Sequence, residues 1–202
     1  MREQEVIKTI QSKLKFTDAS IRKLKIFAKS VIDANREHNL ISKNTEVDIW
    51  HRHILDSAQL VKFISFKNGS LADLGSGAGF PGIVLAIFNN NKDFHVKLYE
   101  KSPVKLAFLK TVIEKLDLDA LLYQNIYEST LESDYIVCRA FKKLKRVIQV
   151  SREIAKKPHK LIVLKGENAQ EEVNNAFKNN KYPYKLEKSM TNDNSKILIA
   201  NF

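Results

Sequence analysis

Four of the six glycines in this 202-residue chain lie within eight residues, in the segment Gly75-Ser-Gly-Ala-Gly-Phe-Pro-Gly82. A short apolar run ending in Asp73 precedes the segment, and the apolar run 83–88 follows it. Because glycine is costly in backbone entropy, such density needs a structural reason. The usual reason is a strand-to-helix turn whose backbone closely approaches a bound nucleotide or adenosine. A tight turn without a ligand is the alternative.

The spacing of these glycines discriminates between kinds of nucleotide loop. Gly75-x-Gly77-x-Gly79 is one residue shorter than the dinucleotide fingerprint G-x-G-x-x-G. It resembles instead the D-x-G-x-G-x-G loop of S-adenosylmethionine (AdoMet) methyltransferases. Glu100 ends an apolar run 25 residues after Gly75. A carboxylate there can accept hydrogen bonds from both ribose hydroxyls of an adenosine. The alternative is a surface residue ahead of a helix, where negative charge suits the helix dipole.

The elements that must position these residues fall into two regions. Residues 1–69 are predicted to be helical, with Thr17 capping one helix and another helix over 48–63. From residue 70 onward, strand-like runs alternate with helical patterns, one of them capped by Ser102 and opened by Pro103. We expect a parallel α/β sheet with helices on both faces, in a domain of residues 70–202 that forms one unit with an N-terminal helical cap of residues 1–69. Strands are predicted at 71–74, 96–100, 121–124, 135–140 and 161–165, and an antiparallel hairpin at 184–190 and 196–202.

Composition narrows the class of protein. No segment has the apolar length of a membrane span, and the N-terminus lacks the pattern of a signal peptide. The single cysteine, Cys138, fits a reducing compartment, so we expect a cytoplasmic protein with no membrane association. Its place inside a predicted strand favours a buried core residue over a nucleophile. His51 and His53 fall on different faces of a helix, and no metal site is expected.

The net charge of +11 is distributed unevenly. Residues 70–133 carry 6 Lys/Arg against 8 Asp/Glu, whereas residues 134–202 carry 15 against 7. The segment 139–160 alone holds nine basic residues and one acidic residue. A solvated face usually mixes both signs. Charge of one sign beside a candidate cofactor site therefore indicates a polyanionic partner, nucleic acid being favoured over solubility alone.

The end of the fourth predicted strand bears on what is methylated. Enzymes that methylate exocyclic amines typically place Asn/Asp-Pro-Pro-aromatic here, whereas this chain has Cys138-Arg139-Ala140-Phe141. Guanine N7 has an in-plane lone pair and no proton to lose, so its methylation requires alignment rather than a general base. The sequence is compatible with such an enzyme. Arg139 is the candidate to donate hydrogen bonds to guanine O6 or a phosphate, with an ion pair at the sheet edge as the alternative.

Several motifs converge on one family. The chain resembles the bacterial small-subunit rRNA guanine-N7 methyltransferases, once called glucose-inhibited division protein B, from about Phe27 to the C-terminus. The Arg-His-Ile-Leu-Asp-Ser segment and the Phe-Pro-Gly after the third loop glycine are more specific than the glycine loop alone. The matching segments are His38-Asn-Leu40, Arg52-His-Ile-Leu-Asp-Ser57, Asp73-Leu-Gly-Ser-Gly-Ala-Gly-Phe-Pro-Gly82, Cys138-Arg-Ala-Phe141 and Leu164-Lys-Gly166.

The resemblance implies a seven-stranded, Rossmann-like AdoMet-dependent methyltransferase fold with an N-terminal helical cap. It implies methylation of one guanine in the 530 loop of 16S rRNA, at position 527 in standard rRNA numbering. AdoMet would be the cofactor, S-adenosylhomocysteine the product, and the small ribosomal subunit the partner of a monomeric, metal-free enzyme. Arg139 is the candidate catalytic residue, where cofactor and substrate meet. Candidate cofactor-binding residues are Asp73, Gly75, Gly77, Gly79, Phe80, Glu100, Tyr127, Glu128 and Arg139. Candidate RNA-binding residues are Arg52, His53, Lys142, Lys143, Lys145, Arg146 and Lys165, of which those at 142–146 are taken from the basic segment and not from the resemblance.

Other functions remain open at this point. One is a non-catalytic RNA-binding module on a degenerate methyltransferase fold, although a degenerate site need not keep Asp73, the loop glycines and Glu100. Others are an AdoMet enzyme acting on a different RNA, or one acting on a small acidic metabolite, which would leave the basic segment without a purpose. Cofactor binding separates the first alternative from the leading hypothesis.

Overall fold

Helices form the first part of the chain, and strands begin only at residue 69. The computed structural model describes residues 3–127, 131–178 and 182–202. Its helices are α1 (Glu3–Leu14), α2 (Asp18–His38), α3 (Lys43–Glu46), α4 (Asp56–Ala58), α5 (Gly82–Phe88), α6 (Pro103–Lys115), α7 (Leu144–Ile154) and α8 (Ala169–Phe177). A π-helical turn (Trp50–Leu55) leads into α4, and a 3₁₀ turn (Gln59–Phe63) continues it. The strands are β1 (Gly69–Leu74), β2 (Phe94–Tyr99), β3 (Ala120–Tyr123), β4 (Tyr135–Arg139), β5 (Lys160–Lys165), β6 (Tyr184–Lys188) and β7 (Lys196–Asn201).

All seven strands join one sheet in the order β3-β2-β1-β4-β5-β7-β6. The first five strands along the chain pair in parallel, while β7 runs antiparallel to β5 and β6 antiparallel to β7. The predicted parallel sheet and closing hairpin are therefore confirmed. The strand order reverses between β1 and β4, and ligands of open α/β sheets bind at such a switch point, beyond the carboxyl ends of the strands.

Alternate residues of the strands contribute to two hydrophobic clusters, as expected for a sheet with both faces covered. Leu71 belongs to a cluster that includes Phe27 of α2 and Leu109 of α6. Its neighbour Ala72 belongs to the other cluster, with Val147 of α7. The N-terminal helices thus pack in the same cluster as residues of the central strands, which brings the α2–α4 region near the carboxyl end of β1.

Some local predictions are confirmed and others are wrong. Thr17 caps α2, since its side chain accepts a hydrogen bond from the Ser20 amide at 3.1 Å. Ser102 occupies the cap position of α6, but its side chain makes no capping hydrogen bond. Its own amide instead donates to Glu100 Oε1 at 2.8 Å, which ties the start of α6 to β2. The predicted 48–63 helix is helical but begins with a π turn, and no helix is present among the described residues between β3 and β4.

Candidate functional site

The glycine loop follows β1 and is held against the end of β2. The amides of Gly75 and Ser76 donate to the carbonyl oxygen of Tyr99 at 2.8 and 3.0 Å. Gly75, Gly77 and Gly79 have φ angles of 73°, 58° and 95°, in the left-handed region that favours glycine. The three glycines predicted from the sequence are therefore required by the path of the backbone.

Two of these glycines differ in what surrounds them. A Cβ built on Gly79 would lie 2.6 Å from Ile83 Cγ1 and 3.1 Å from Phe27 Cζ, so this glycine permits close packing behind the loop. A Cβ on Gly77 would meet only the Gly75 carbonyl oxygen, at 3.8 Å. Gly77 therefore presents bare backbone to open space, as a loop that closely approaches a ligand must.

Asp73 holds the far end of the loop. Its side chain is fully buried, and its Oδ2 accepts a hydrogen bond from the Gly82 amide at 2.9 Å. Burial raises the pKa of Asp73 to about 7, against hydrogen bonding that lowers it. Its Oδ1 has no partner in the described structure. Asp73 and Gly79 lie behind the loop and do not line the cavity described next.

A cavity of about 690 Å³ opens above the loop, at the carboxyl ends of β1, β2 and β4. Its size suits a small-molecule ligand. Four cationic side chains and one carboxylate line it, namely Lys101, Lys105, Arg139, Lys142 and Glu100. Further lining residues include Leu40, Ile41, Thr45, His53, Gly75, Gly77, Phe80, Asn125, Tyr127 and Phe141.

Glu100 connects the loop to α6. It is 8% exposed, and its Oε2 accepts a hydrogen bond from the Gly77 amide at 2.9 Å. Its Oε1 accepts from the Ser102 amide at 2.8 Å. Each carboxylate oxygen has two lone pairs, so both oxygens retain acceptor capacity on the cavity side. This arrangement is compatible with the predicted ribose contact.

Arg139 ends β4 and reaches across to the π turn. Its Nη1 donates to the carbonyl oxygen of Arg52 at 3.1 Å and lies 3.7 Å from Asp56 Oδ2. Its Nη2 lies 2.7 Å from His53 Nδ1. The guanidinium carbon sits 5.2 Å from the ring centroid of Phe80, within cation–π range. Burial raises the pKa of Asp56, and Arg139 opposes that rise.

The remaining predicted cofactor residues are only partly placed. Phe80 is buried, and its ring packs at a tilt against those of Phe27 and His53, each at a centroid distance of 5.0 Å. Tyr127 lines the cavity but is 57% exposed, and its amide donates to Asn125 Oδ1 at 3.0 Å. Glu128 lies outside the described residues. The adenine side of the site therefore stays a prediction.

The predicted RNA-binding residues occupy different settings. Lys142 borders the cavity, with its ammonium 5.3 Å from the Phe141 ring centroid. Arg146 pairs with Glu153 at 3.5 Å, and Lys165 pairs with Glu172 at 2.7 Å with only 12% of its side chain exposed. Arg52, Lys143 and Lys145 are exposed, whereas His53 is buried with both ring nitrogens near protein partners.

Sequence reasoning missed some residues at the cavity. Thr45 contacts His53, and Asp56 contacts Arg139, although neither was singled out for a role. Lys101 and Lys105 line the cavity beside Glu100. A signal for Asp56 was present, because it belongs to the Arg52–Ser57 motif. A signal for the α2–α3 connection was also present, because Leu40 belongs to the His38–Leu40 motif, but that motif did not show that the connection would form a cavity wall.

The structure also bears on Cys138, on metal binding and on membrane-spanning helices. Cys138 is fully buried, and burial raises the pKa of its thiol to about 12, which suits a core residue rather than a nucleophile. Within the described ranges, no three His, Cys, Asp or Glu side chains are placed to hold a metal ion. None of the described helices is both long and apolar enough to cross a membrane.

The sheet order, the glycine loop and the acidic residue after β2 define the class of Rossmann-like, AdoMet-dependent methyltransferase folds. Consistent with this, the structure superposes on that of magnesium protoporphyrin IX methyltransferase from Synechocystis with bound SAM, with a TM-score of 0.60. The two share 15% sequence identity, over 92% of this chain and 97% of that one. At that identity the likeness concerns the fold alone.

Sequence comparisons identify the family. Residues 20–197 match the model of the rRNA small subunit methyltransferase G family, and the chain belongs to this family. It is 38% identical to the ribosomal RNA small subunit methyltransferase G of Orientia tsutsugamushi, over 81% of each chain. It is 36% identical to the protein of the same name from Rickettsia prowazekii, over 93% of this chain and 97% of that one. The resemblance drawn from the motifs is thereby confirmed.

Proposed function

We propose that this protein transfers the methyl group of AdoMet to N7 of a guanine in the 530 loop of 16S rRNA, at position 527 in standard rRNA numbering. Membership of the rRNA small subunit methyltransferase G family supports the reaction and the substrate class. The observation that carries the proposal is one cavity lined by the bare backbone of Gly77, the carboxylate of Glu100 and the guanidinium of Arg139.

The residues at the cavity fit the methyl donor. The open space at Gly77 admits a ligand against the loop backbone, and the buried Glu100 carboxylate has acceptor capacity left for ribose hydroxyls. We assign cofactor contact to Gly75, Gly77, Phe80 and Glu100, and the adenine side to Tyr127 and Glu128. Bound AdoMet supplies an electrophilic methyl group on a sulfonium.

The protein's part in the chemistry is alignment. Guanine N7 carries an in-plane lone pair and loses no proton, so the rate depends on holding the base in line with the methyl group. Arg139 is the proposed holding group. Two of its five N–H donors engage Arg52 and His53, which leaves others able to donate to guanine O6 or a phosphate. The contact of the guanidinium with Phe80 of the glycine loop supports assigning Arg139 to the junction of cofactor and substrate.

The basic surface near the cavity supplies the affinity for RNA. Lys142 borders the cavity, and Lys143 and Lys145 are exposed just beyond it. We assign contact with rRNA phosphates to these three residues, and include Arg52, Arg146 and Lys165. Arg146 and Lys165 are the weaker members of this set, because each already contacts a carboxylate, at 3.5 and 2.7 Å, with which an anion must compete.

Three further expectations belong to the same proposal. We infer that residues 1–69 form a cap whose α2–α4 region completes one wall of the cavity, since Leu40, Thr45 and His53 line it. We also infer that the protein acts as a monomer in the cytoplasm. The proposed reaction needs no metal ion, because N7 is already a nucleophile.

The direct test is incubation of the protein with unmethylated small ribosomal subunits and methyl-labelled AdoMet, followed by mapping of the modified nucleotide. Naked rRNA and precursor particles serve as parallel substrates. Label at guanine N7 at the stated position supports the proposal. Label on another base, or AdoMet binding without transfer to any of the three substrates, would refute it.

Variants test the assigned roles. Arg139→Ala should lower kcat/KM substantially, and Arg139→Lys should rescue it poorly because lysine lacks the planar fork of donors. Cys138→Ser should stay active. The measurement is single-turnover methyl transfer across pH 6–9, with the folding of each variant checked by circular dichroism. An inactive Cys138→Ser together with a fully active Arg139→Ala would overturn the mechanism and indicate covalent chemistry at a pyrimidine.

A further inference from the structure

The π turn and the first residue of α4 surround one guanidinium with acceptors. Within five consecutive residues, the Arg52 carbonyl oxygen, the His53 Nδ1 and the Asp56 Oδ2 all face Arg139, at 3.1, 2.7 and 3.7 Å. Arg139 lies more than 80 positions further along the chain, at the end of β4. π turns within helices often occur at functional sites. Only one of the three acceptors, the carboxylate, carries charge.

The contacts of His53 determine which of its nitrogens carries the proton. A guanidinium has only donors, so His53 Nδ1 must accept from Arg139 and cannot carry a hydrogen. In the neutral ring the hydrogen is then on Nε2, which lies 2.8 Å from Thr45 Oγ1. The Thr45 hydroxyl donates its own hydrogen to the Ser42 carbonyl oxygen at 2.9 Å, so it is free to accept. Every hydrogen bond therefore points the same way, from Arg139 through His53 and Thr45 to Ser42.

The surroundings keep the ring neutral. His53 is 8% exposed and packs on Phe80 at a centroid distance of 5.0 Å. Burial, and then the charges of Arg139 and Arg52, lower its pKa to about 3. A protonated ring would place a hydrogen on Nδ1 facing the guanidinium, which would break the contact and set two cations against each other. A carboxylate also faces this group of charges, since Asp56 at the start of α4 lies 3.7 Å from Arg139.

We propose that His53 is a positioning residue, whose neutral Nε2–H tautomer fixes the plane of the Arg139 guanidinium so that its remaining donors face the cavity. The role rests on the proposed function, because Arg139 is the group assigned to hold the guanine. Asp56, at 3.7 Å, attracts the guanidinium without fixing its plane. Two contacts fix the plane: Nη1 donates to the Arg52 carbonyl oxygen at 3.1 Å, and Nη2 donates to His53 Nδ1 at 2.7 Å, which is the shorter contact and the one made by a side chain. His53 thus acts through Arg139 rather than on RNA.

Substitution of His53 by asparagine or by glutamine distinguishes the roles of the two ring nitrogens. An asparagine oxygen can take the place of Nδ1 and accept from Arg139, whereas a glutamine amide reaches towards the place of Nε2. We expect His53→Gln and His53→Ala to slow single-turnover methyl transfer by about 10–100-fold, the scale of misplacing a reacting group by about 1 Å. His53→Asn should stay within about fivefold of the wild type, and AdoMet affinity should change less than about threefold in all three, since the proposed loss lies in orientation.

His51 provides the matched control. It lies two residues away on the same turn, pairs with Asp48 at 3.4 Å and does not line the cavity. His51→Asn and His51→Gln should both leave the transfer rate unchanged. If His53→Gln equals His53→Asn in rate, or if both lose AdoMet binding in step with activity, the positioning role is wrong.

The tautomer and protonation state of His53 can be measured directly on the wild-type protein, without an activity assay. Nitrogen NMR of the histidine rings distinguishes the Nε2–H from the Nδ1–H tautomer and reports protonation. We expect His53 to be the Nε2–H tautomer and to stay neutral from pH 8 down to pH 5, and Thr45→Val to perturb its Nε2 signal. The inference is wrong if His53 titrates near its ordinary pKa or is found as the Nδ1–H tautomer. Failure of the wild type to methylate small subunits would instead refute the proposed function and leave the NMR result standing.

Discussion

Gly77 is the position at which the ligand-binding role of the loop can be tested apart from its folding. In Gly77→Ala the new methyl group meets no protein atom closer than the Gly75 carbonyl oxygen at 3.8 Å. The only cost to the folded state is an alanine at φ of 58°, roughly 1–2 kcal/mol. For a chain of this length, each kcal/mol lowers Tm by about 2–4 °C, so the melting temperature should fall by about 2–8 °C.

The expected effect on ligand binding is larger. The methyl group occupies the space where the loop backbone must approach the cofactor, and we expect AdoMet affinity to fall by at least about tenfold, which corresponds to about 1.4 kcal/mol. Two other glycines serve as controls. Gly166→Ala should change neither property, because Gly166 is exposed, has an ordinary φ and would place its new Cβ more than 4 Å from any neighbouring atom. Gly79→Ala should mainly lower stability, since its Cβ would press on Ile83.

Calorimetric titration with AdoMet and with S-adenosylhomocysteine, paired with thermal unfolding of the same samples, measures both effects. The reasoning fails if Gly77→Ala melts within the expected range yet binds both ligands as the wild type does. In that case the open space at Gly77 is not the place where the cofactor lies.

Three further properties of the site can be measured. Glu100→Ala leaves two backbone donors without their acceptor, and calorimetry should show AdoMet binding weaker by roughly 1–3 kcal/mol. Charge reversal at Lys142 and Lys145 should reduce the slope of log affinity for an rRNA fragment against log salt by roughly one to two units without changing AdoMet binding; an unchanged slope means that these lysines only face solvent. Because the folded pKa of Asp73, about 7, exceeds its ordinary 3.8, this carboxyl makes the protein less stable as pH rises from about 4 to about 7, by at most about 1.4 kcal/mol per pH unit. Asp73→Asn should lack this loss of stability, which urea unfolding at several pH values measures. The quantity to compare is the difference in free energy of unfolding between the variant and the wild type. A difference is needed because His53, with its lowered pKa, makes the stability of both proteins rise with pH below pH 6.5.

Most of the sheet was predictable from the sequence because its signals are local. The run at 71–74 is apolar and bounded by turn residues, and the structure extends it by only two residues, to Gly69–Leu74. The closing hairpin was predictable for the same local reason, because a turn-rich segment separates the runs that form β6 and β7. The start of α6 is also as predicted, with Ser102 at the cap position and Pro103 opening the helix. The sequence did not show that the Ser102 side chain would make no capping hydrogen bond, or that its amide would donate to Glu100.

The candidate site was predictable only on the side that sits at strand ends. The loop glycines and Glu100 follow directly after β1 and β2, and parallel strands bring their carboxyl ends to one edge. Two residues of the opposite wall, Leu40 and Thr45, come from the helical region. Leu40 belongs to the His38–Leu40 motif, but the residue types of that motif do not indicate a ligand, and Thr45 belongs to no motif. Their place depends on how α2 packs on the sheet.

The Arg52–Ser57 motif indicates the family, but residue type alone does not show which contacts its side chains make within the protein. The sequence predicts RNA binding for His53 because histidine is a basic residue type in a chain expected to act on RNA, and that role stays a prediction. In the structure, three side chains of the motif make contacts within the protein. The Ser57 hydroxyl donates to the His53 carbonyl oxygen at 2.6 Å, and His53 and Asp56 face Arg139. Because β4 supplies the arginine and the N-terminal helices supply its acceptors, neither region can build this part of the site alone.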